Sequence, residues 1–105
     1  MQNKVKNFND SMPCHKKPMP VYSRLIDIQS EIGELSKEYL KATKYGTRDF
    51  ETTQDFILEF GDVLYSLLCL ANETNIDSEG ALDLILEKYK KRIDENGTMG
   101  SKKED

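Results

Sequence analysis

The feature that most constrains the fold is the segment 55–73, which reads DFILEFGDVLYSLLCLANE. On an α-helix, at about 100° per residue, its apolar side chains cover most of the circumference. A helix that is apolar on nearly all sides is expected to be buried on nearly all sides. One narrow stripe of this helix is polar, and we call it the first acidic row: Asp55, Glu59, Asp62, Ser66 and Glu73.

The first acidic row stacks like charges at spacings of three and four residues. In water each such pair destabilises a helix by a few tenths of a kcal/mol. In dry surroundings the cost is larger, and an unpaired carboxylate takes up a proton instead. A chain with acids on the one polar stripe of its most apolar helix is therefore expected to hold a cation there.

A second helix is predicted from Pro20 to about Lys44, with a second acidic row beside its apolar face. Its acids repeat the spacing of 4, 3 and 4, and they are Asp27, Glu31, Glu34 and Glu38. For one helix alone, a solvated flank is the ordinary interpretation, with Lys37 and Lys41 as partners of some of the acids. Two helices with the same spacing favour a shared site.

Antiparallel packing of the two helices would bring Glu31, Glu34, Glu59 and Asp62 to one point. Each pair encloses a mid-helix glycine, Gly33 or Gly61, which costs up to about 1 kcal/mol relative to alanine. We interpret these glycines as permitting a close helix–helix approach at the level of the carboxylates.

A site made of carboxylates, without His or Cys, suits Mg²⁺ first and Mn²⁺ second. A di-iron bundle would need a Glu-x-x-His motif, which is absent from the sequence. Magnesium held by carboxylates with open water positions serves phosphate-ester and phosphoanhydride chemistry. Glu38 and Asp55, one turn away, are outer residues of such a site or candidates for the general base.

The remainder of the chain also predicts helix, and no strand-like alternation occurs. Gly46 is a candidate C-cap, a short helix is expected around 48–53, and Thr53 or Thr52 is expected to cap the apolar helix. Asp77 or Ser78 should cap a third long helix that runs to about Ile93. Its predicted buried stripe is Leu82, Ile85, Leu86, Tyr89 and Ile93.

One edge of the third helix is basic, with Lys88, Lys91 and Arg92. The two interpretations are a solvated edge and a surface that faces an anion. Residues 1–20 contain all three prolines and are expected to form an irregular lead-in to a helical domain over 21–94. Residues 95–105 are expected to be a flexible tail. The one histidine, His15, lies in the lead-in, which argues against a Ser-His-Asp or Cys-His mechanism.

The composition fits one small domain, since 37% of the 105 residues are hydrophobic. The net charge of -4 does not favour nucleic-acid binding. No run approaches the roughly 18 apolar residues of a membrane span, and the two cysteines fit a reduced, cytoplasmic compartment. The apolar helix needs more cover than two helices provide. We therefore expect an all-α protein whose long antiparallel helices form a four-helix-type bundle completed by oligomerisation.

The segments EIGEL at 31–35 and EFGDVLYSLLCLANETNID at 59–77 resemble the MazG-like nucleoside triphosphate pyrophosphohydrolases. This all-α superfamily includes dimeric dUTPases, dCTP pyrophosphatases and phosphoribosyl-ATP pyrophosphohydrolases, and the similarity spans about residues 22–93. It implies metal binding by Glu31 and Glu34 on one helix, and by Glu59 and Asp62 on the other.

The resemblance further implies Mg²⁺-dependent hydrolysis of a (d)NTP to the monophosphate and pyrophosphate, in a homodimer or a dimer of dimers. Glu34 and Glu38 are then the candidate catalytic residues, and Lys88 and Arg92 are the candidates for phosphate contacts. House-cleaning of the nucleotide pool is the leading expectation. The alternatives are hydrolysis of phosphoribosyl-ATP and a non-catalytic helical oligomerisation module.

Overall fold

The computed structural model describes residues 1–12, 19–97 and 100. Over these residues the chain forms four α-helices and no strand, which confirms the all-α prediction. The helices are α1 (Gln2–Ser11), α2 (Val21–Ala42), α3 (Gln54–Glu73) and α4 (Ser78–Asn96). The chain divides into two compact units, Met1–Asn75 and Ile76–Asp105, and each is described by itself.

In the first unit, α2 and α3 pack against each other as an antiparallel pair, and α1 packs on α3. The antiparallel order follows from the cross-links, because Asp27 pairs with Ser66 while the earlier Arg24 pairs with the later Glu73. The buried apolar core is small. Its members are Ile28 and Ala42 of α2, with Leu68, Cys69 and Ala71 of α3.

The predicted C-cap at Gly46 is wrong, because α2 ends at Ala42 and Thr43 is its C-cap. Lys44 and Tyr45 then take positive φ angles of 46° and 57°, and Gly46 follows with a φ of 84°. The hydroxyl of Thr43 accepts a hydrogen bond from the Gly46 amide over 3.1 Å. The helix therefore ends earlier than predicted, in a left-handed turn held by a buried threonine.

The short helix predicted around 48–53 is also wrong, because residues 49–53 are neither helix nor turn. The ring of Phe50 stacks on Tyr39 of α2 at 5.1 Å and meets Phe56 of α3 edge-on at 5.0 Å. Thr53 is extended, with φ -106° and ψ 162°, and its side chain accepts a hydrogen bond from the Phe56 amide. The Thr53 cap is thus confirmed. The aromatic contacts explain why the preceding segment does not form a helix.

The N-terminal segment contains a helix where an irregular lead-in was predicted. Helix α1 has no buried residue, and contacts with α3 hold it in place. The hydroxyl of Tyr65 donates to Oδ1 of Asn9 over 2.5 Å, and the ring of Phe8 packs edge-on against Tyr65. The Asn72 amide donates to the carbonyl of Gln2 over 3.3 Å. The prediction failed because residues 2–11 show little apolar periodicity, and the contacts that hold this helix are tertiary.

In the second unit, Asp77 occupies the predicted N-cap position of α4, and Gly97 ends the helix with a φ of 72°. No residue of α4 is buried, so the predicted buried stripe is wrong for this chain by itself. The described part of this unit contains a single helix, so it offers no second helix to cover the stripe. His15 and most of the predicted tail lie outside the described residues.

Among the residues that the structure describes, none of the helices combines the length and the apolar character needed to cross a membrane.

Candidate metal site

Three acidic side chains converge where α2 and α3 pack together. Glu31, Glu59 and Asp62 each offer one carboxylate oxygen, and these oxygens all lie within 4.8 Å of one another. Glu31 and Glu59 are half-buried, and Asp62 is exposed. The antiparallel pairing of the two acidic rows produces this meeting, because it sets the middle of each row against the middle of the other.

The donor set and its spacing fit a divalent cation. Mg²⁺ takes oxygen ligands at about 2.0–2.1 Å, so two oxygens on opposite sides of the ion lie about 4.2 Å apart. The three oxygens lie within 4.8 Å of one another, so small side-chain rotations would bring them around one ion. All three donors are oxygens, which suits Mg²⁺ or Mn²⁺ better than zinc or copper.

The electrostatics of the cluster point in the same direction. Burial raises the pKa of Glu31, and the charges of Asp62, Asp27 and Glu34 raise it further. Burial likewise raises the pKa of Glu59, followed by the charges of Asp62, Glu31 and Glu34. A bound cation would favour the ionised form of each group and reverse these shifts. Without a cation, the ionised carboxylates repel one another.

Glu34, the fourth predicted ligand, has no oxygen in this group. Its side chain is 51% exposed and lies 3.7 Å from the ammonium of Lys37. Its charge nevertheless raises the pKa of both Glu31 and Glu59, so Glu34 interacts electrostatically with the cluster.

Glu38, the second predicted catalytic residue, is largely covered, with 14% of its side chain exposed. Lys41 donates to it over 3.2 Å. The hydrogen bond and charge of Glu38 raise the pKa of Lys41, and Asp55 adds to this effect. The two lysines therefore pair with acids of the second acidic row, as the sequence suggested.

The interpretation of the two glycines as close-approach residues is wrong within this chain. A methyl group added at Gly33 or at Gly61 would meet no atom within 4 Å. Both glycines are exposed, so they face away from the contact between α2 and α3. The carboxylates meet without help from either glycine.

Lys88 and Arg92, the predicted phosphate contacts, belong to α4 in the second unit. Lys88 is exposed, and the guanidinium carbon of Arg92 lies 6.0 Å from the ring centroid of Tyr89. Their part in a site stays a prediction.

A buried arginine, which the sequence pattern did not predict, lies at one end of the acidic rows. Arg24 is 5% exposed, and its Nη2 lies 2.9 Å from Oε1 of Glu73. Its Nη1 lies 3.6 Å from Oδ2 of Asp27, and the same oxygen accepts a hydrogen bond of 3.0 Å from Ser66. The available signal was the position of Arg24, three residues before Asp27 and so on the same side of the helix.

The model of the MazG nucleotide pyrophosphohydrolase domain matches residues 23–96 of this chain. The chain belongs to the MazG nucleotide pyrophosphohydrolase family. The match contains both acidic rows and α4, whereas α1 of this MazG protein lies before it.

The chain is also similar to YpjD of Bacillus subtilis (strain 168), a protein described as uncharacterized. The two are 35% identical over 79 residues, which cover 71% of this chain and 66% of YpjD. No solved structure matches the chain significantly.

Proposed function

We propose that this MazG protein hydrolyses a nucleoside triphosphate to the monophosphate and pyrophosphate, with Mg²⁺ as the natural cation and house-cleaning of the nucleotide pool as its role. The observation that carries the proposal is the convergence of three carboxylate oxygens, from two helices, within 4.8 Å. The family supplies the reaction class, and the all-oxygen donor set supports Mg²⁺, with Mn²⁺ as a substitute.

The residues of the chain then take distinct parts. Bound Mg²⁺ would neutralise phosphate charge and lower the pKa of a coordinated water. Glu31, Glu59 and Asp62 would hold the ion. Glu34 would turn from Lys37 toward the same point, as a fourth ligand or as the base that accepts a proton from water. Glu38 is the other candidate base, and its covered carboxylate is already oriented by Lys41.

The charge of the substrate calls for cations besides the metal. A triphosphate brings about four negative charges to a site that already contains several carboxylates, so one divalent ion leaves a large excess. We propose that more than one Mg²⁺ binds with the substrate, or that Lys88 or Arg92 contacts a phosphate, from the same subunit or from another. Arginine can do so with two parallel hydrogen bonds.

A second copy of the chain is the proposed partner. Helix α3 leaves large apolar side chains 46–58% exposed, namely Ile57, Leu58, Phe60 and Leu67. Helix α2 likewise exposes Leu25, Ile26 and Ile32. Apolar exposure on this scale is uncommon in monomers. We propose that a homodimer, or a dimer of dimers, covers these side chains and completes a helical bundle.

A panel of canonical and modified nucleoside triphosphates, assayed with Mg²⁺ and scored for pyrophosphate and orthophosphate separately, tests the function. We expect pyrophosphate and a nucleoside monophosphate in equal amounts, and no turnover with a chelator. Glu59→Gln, purified in parallel, controls for contaminating hydrolases. Release of orthophosphate alone, or full activity in the chelator, would refute the proposal.

A further inference from the structure

The buried polar network at the end of the acidic rows links both helices of the metal site. Arg24 binds Glu73 through two of its nitrogens, with Nη2–Oε1 at 2.9 Å and Nε–Oε2 at 3.4 Å. Ser66, which is 3% exposed, donates to Asp27 over 3.0 Å. Arg24 also lies 3.6 Å from the same oxygen of Asp27. Arg24 thus joins two contacts between α2 and α3 into one network.

The Asp27–Ser66 contact of this network lies one helical turn from the metal carboxylates, and the Arg24–Glu73 pair lies beyond it. Asp27 precedes Glu31 by four residues on α2, and Ser66 follows Asp62 by four residues on α3. Residues four apart occupy the same face of a helix, so the Asp27–Ser66 bond fixes the rotation and the axial position of one row relative to the other. A shift of either helix would move Glu31 away from Asp62.

The metal site needs such a restraint because its own charges oppose it. Glu31, Glu59 and Asp62 repel one another when no cation is bound, and this repulsion favours separation of the helices at that level. The buried Arg24–Glu73 pair is weak evidence for added stability, since desolvation offsets much of its attraction. Its geometry, with two nitrogens on one carboxylate, instead restricts how the helices can align.

We infer that Arg24, Asp27 and Ser66 are positioning residues that hold the two acidic rows in register and so set the affinity of the site for its divalent cation. They act on the ion through Glu31 and Asp62 and do not contact it. The inference rests on the proposed metal site, which it extends along both helices.

The test is a charge-neutral double substitution, Arg24→Met with Glu73→Leu. It removes one positive and one negative charge together, so the net charge near the site does not change. Replacement of a buried ion pair by apolar residues of similar size often preserves stability. Mn²⁺ affinity, measured by electron paramagnetic resonance titration of folded protein, is expected to fall about tenfold, the lower end of the loss seen when residues that orient metal ligands are replaced. Equal affinity in the folded double variant would overturn the inference.

Two further variants complete the test. Ser66→Ala removes the bond to Asp27 with little change in volume, and it should also weaken Mn²⁺ binding; it serves in place of the double variant if that one does not fold. The exposed pair Lys6 and Asp10 of α1, lying 2.7 Å apart, is the matched control. Lys6→Met with Asp10→Leu is also charge-neutral and should leave the affinity unchanged.

Failure of the inference is distinguishable from failure of the proposed function. If the unmodified protein binds no Mn²⁺, or if Glu59→Gln binds it as well as the unmodified protein does, the metal site is wrong and the inference falls with it. If Glu59→Gln loses binding while the folded Arg24→Met/Glu73→Leu variant retains it, or Ser66→Ala retains it where the double variant does not fold, the site stands and the positioning role is refuted.

Discussion

Glu31 of α2 and Asp62 of α3 present carboxylate oxygens within 4.8 Å of each other, although they lie on different helices, on either side of the connecting segment 43–53. The antiparallel packing of two helices creates this proximity. Like charges this close raise the free energy of the metal-free state, and a bound divalent cation would lower it. The pair therefore links the fold of the chain directly to the proposed cation site.

Replacing Glu59 by Gln should abolish metal-dependent hydrolysis and leave the fold intact. Glu59 contributes one of the three converging oxygens, and its pKa is raised by burial and by the neighbouring charges. The variant should be at least as stable as the unmodified protein in a chelator, because it relieves like-charge repulsion. Turnover assays and urea unfolding measure the two effects. Glu51→Gln, at an exposed acid outside the rows, is the control, and near-normal activity of Glu59→Gln would contradict the assignment.

The stability difference between Glu59→Gln and the unmodified protein should shrink as pH falls. Glu59 and Glu31 have pKa values raised above their ordinary 4.5, so the folded state binds their protons more tightly than the unfolded chain does. The two ionised carboxylates therefore destabilise the folded state fully above their raised pKa values. This destabilisation is relieved as pH falls toward 4.5. Urea unfolding in a chelator between about pH 7 and about pH 5 measures this trend. A difference that stays constant or widens would contradict it.

The protein should be a homo-oligomer in solution. Leu67 of α3 is 46% exposed in the single chain, although it is a large apolar side chain on the most apolar helix. Leu67→Lys should therefore cost the isolated chain little and should weaken association. Light scattering at micromolar concentration measures the mass of both proteins. A uniform 12.1 kDa species for the unmodified protein would contradict the prediction.

Alanine at Lys88 or Arg92 should slow hydrolysis about 100-fold or more if the removed cation stabilises charge that develops on a phosphate. The measurement is kcat/KM for the best substrate of the nucleotide panel. Lys90→Ala is the matched control, since Lys90 is exposed on the same helix but on a different side. A solvated lysine should cost almost nothing. Wild-type kcat/KM in both the Lys88 and Arg92 variants would assign this edge to solvent.

Replacing Asn9 by Ala should destabilise the first unit by about 1 kcal/mol, because it removes the acceptor of the part-buried Tyr65 hydroxyl. The same change removes the contact from the Asn9 amide to the sulfur of Cys69, at 3.4 Å. Urea unfolding gives the difference in free energy. Lys6→Ala on the same helix breaks only an exposed ion pair and should cost less than about 1 kcal/mol. Equal effects of the two substitutions would contradict a specific contribution of the Asn9 contacts to stability.

The long helices and the meeting of the rows were predictable because their signals are local. The spacing of Glu31 and Glu34, and of Glu59 and Asp62, fixes which side chains share a helical face, and helix pairing then brings the faces together. A threonine cap at position 52 or 53 was predictable for the same reason, since a threonine just before an apolar helical run can accept a hydrogen bond from a first-turn amide, here that of Phe56.

The features that could not be predicted depend on contacts distant in sequence. Helix α1 is held by Tyr65 and Asn72, which lie more than 50 residues away from it. The extended segment before α3 depends on the packing of Phe50 between Tyr39 and Phe56. The Arg24–Glu73 pair spans 49 residues, and nothing in the neighbourhood of either residue indicates the other.

The burial of Arg24 against Glu73 also restricts how this protein can change over evolutionary time. Loss of Arg24 alone would leave Glu73 without this partner, and loss of Glu73 alone would leave the buried Arg24 with the 3.6 Å contact to Asp27; breaking a buried pair in this way costs up to about 3–5 kcal/mol. A small domain has about 5–15 kcal/mol of stability in total, so such a single step would bring the chain close to unfolding. Drift at these two positions should therefore proceed in pairs, and a descendant that carries an aliphatic residue at one position should carry an uncharged residue at the other.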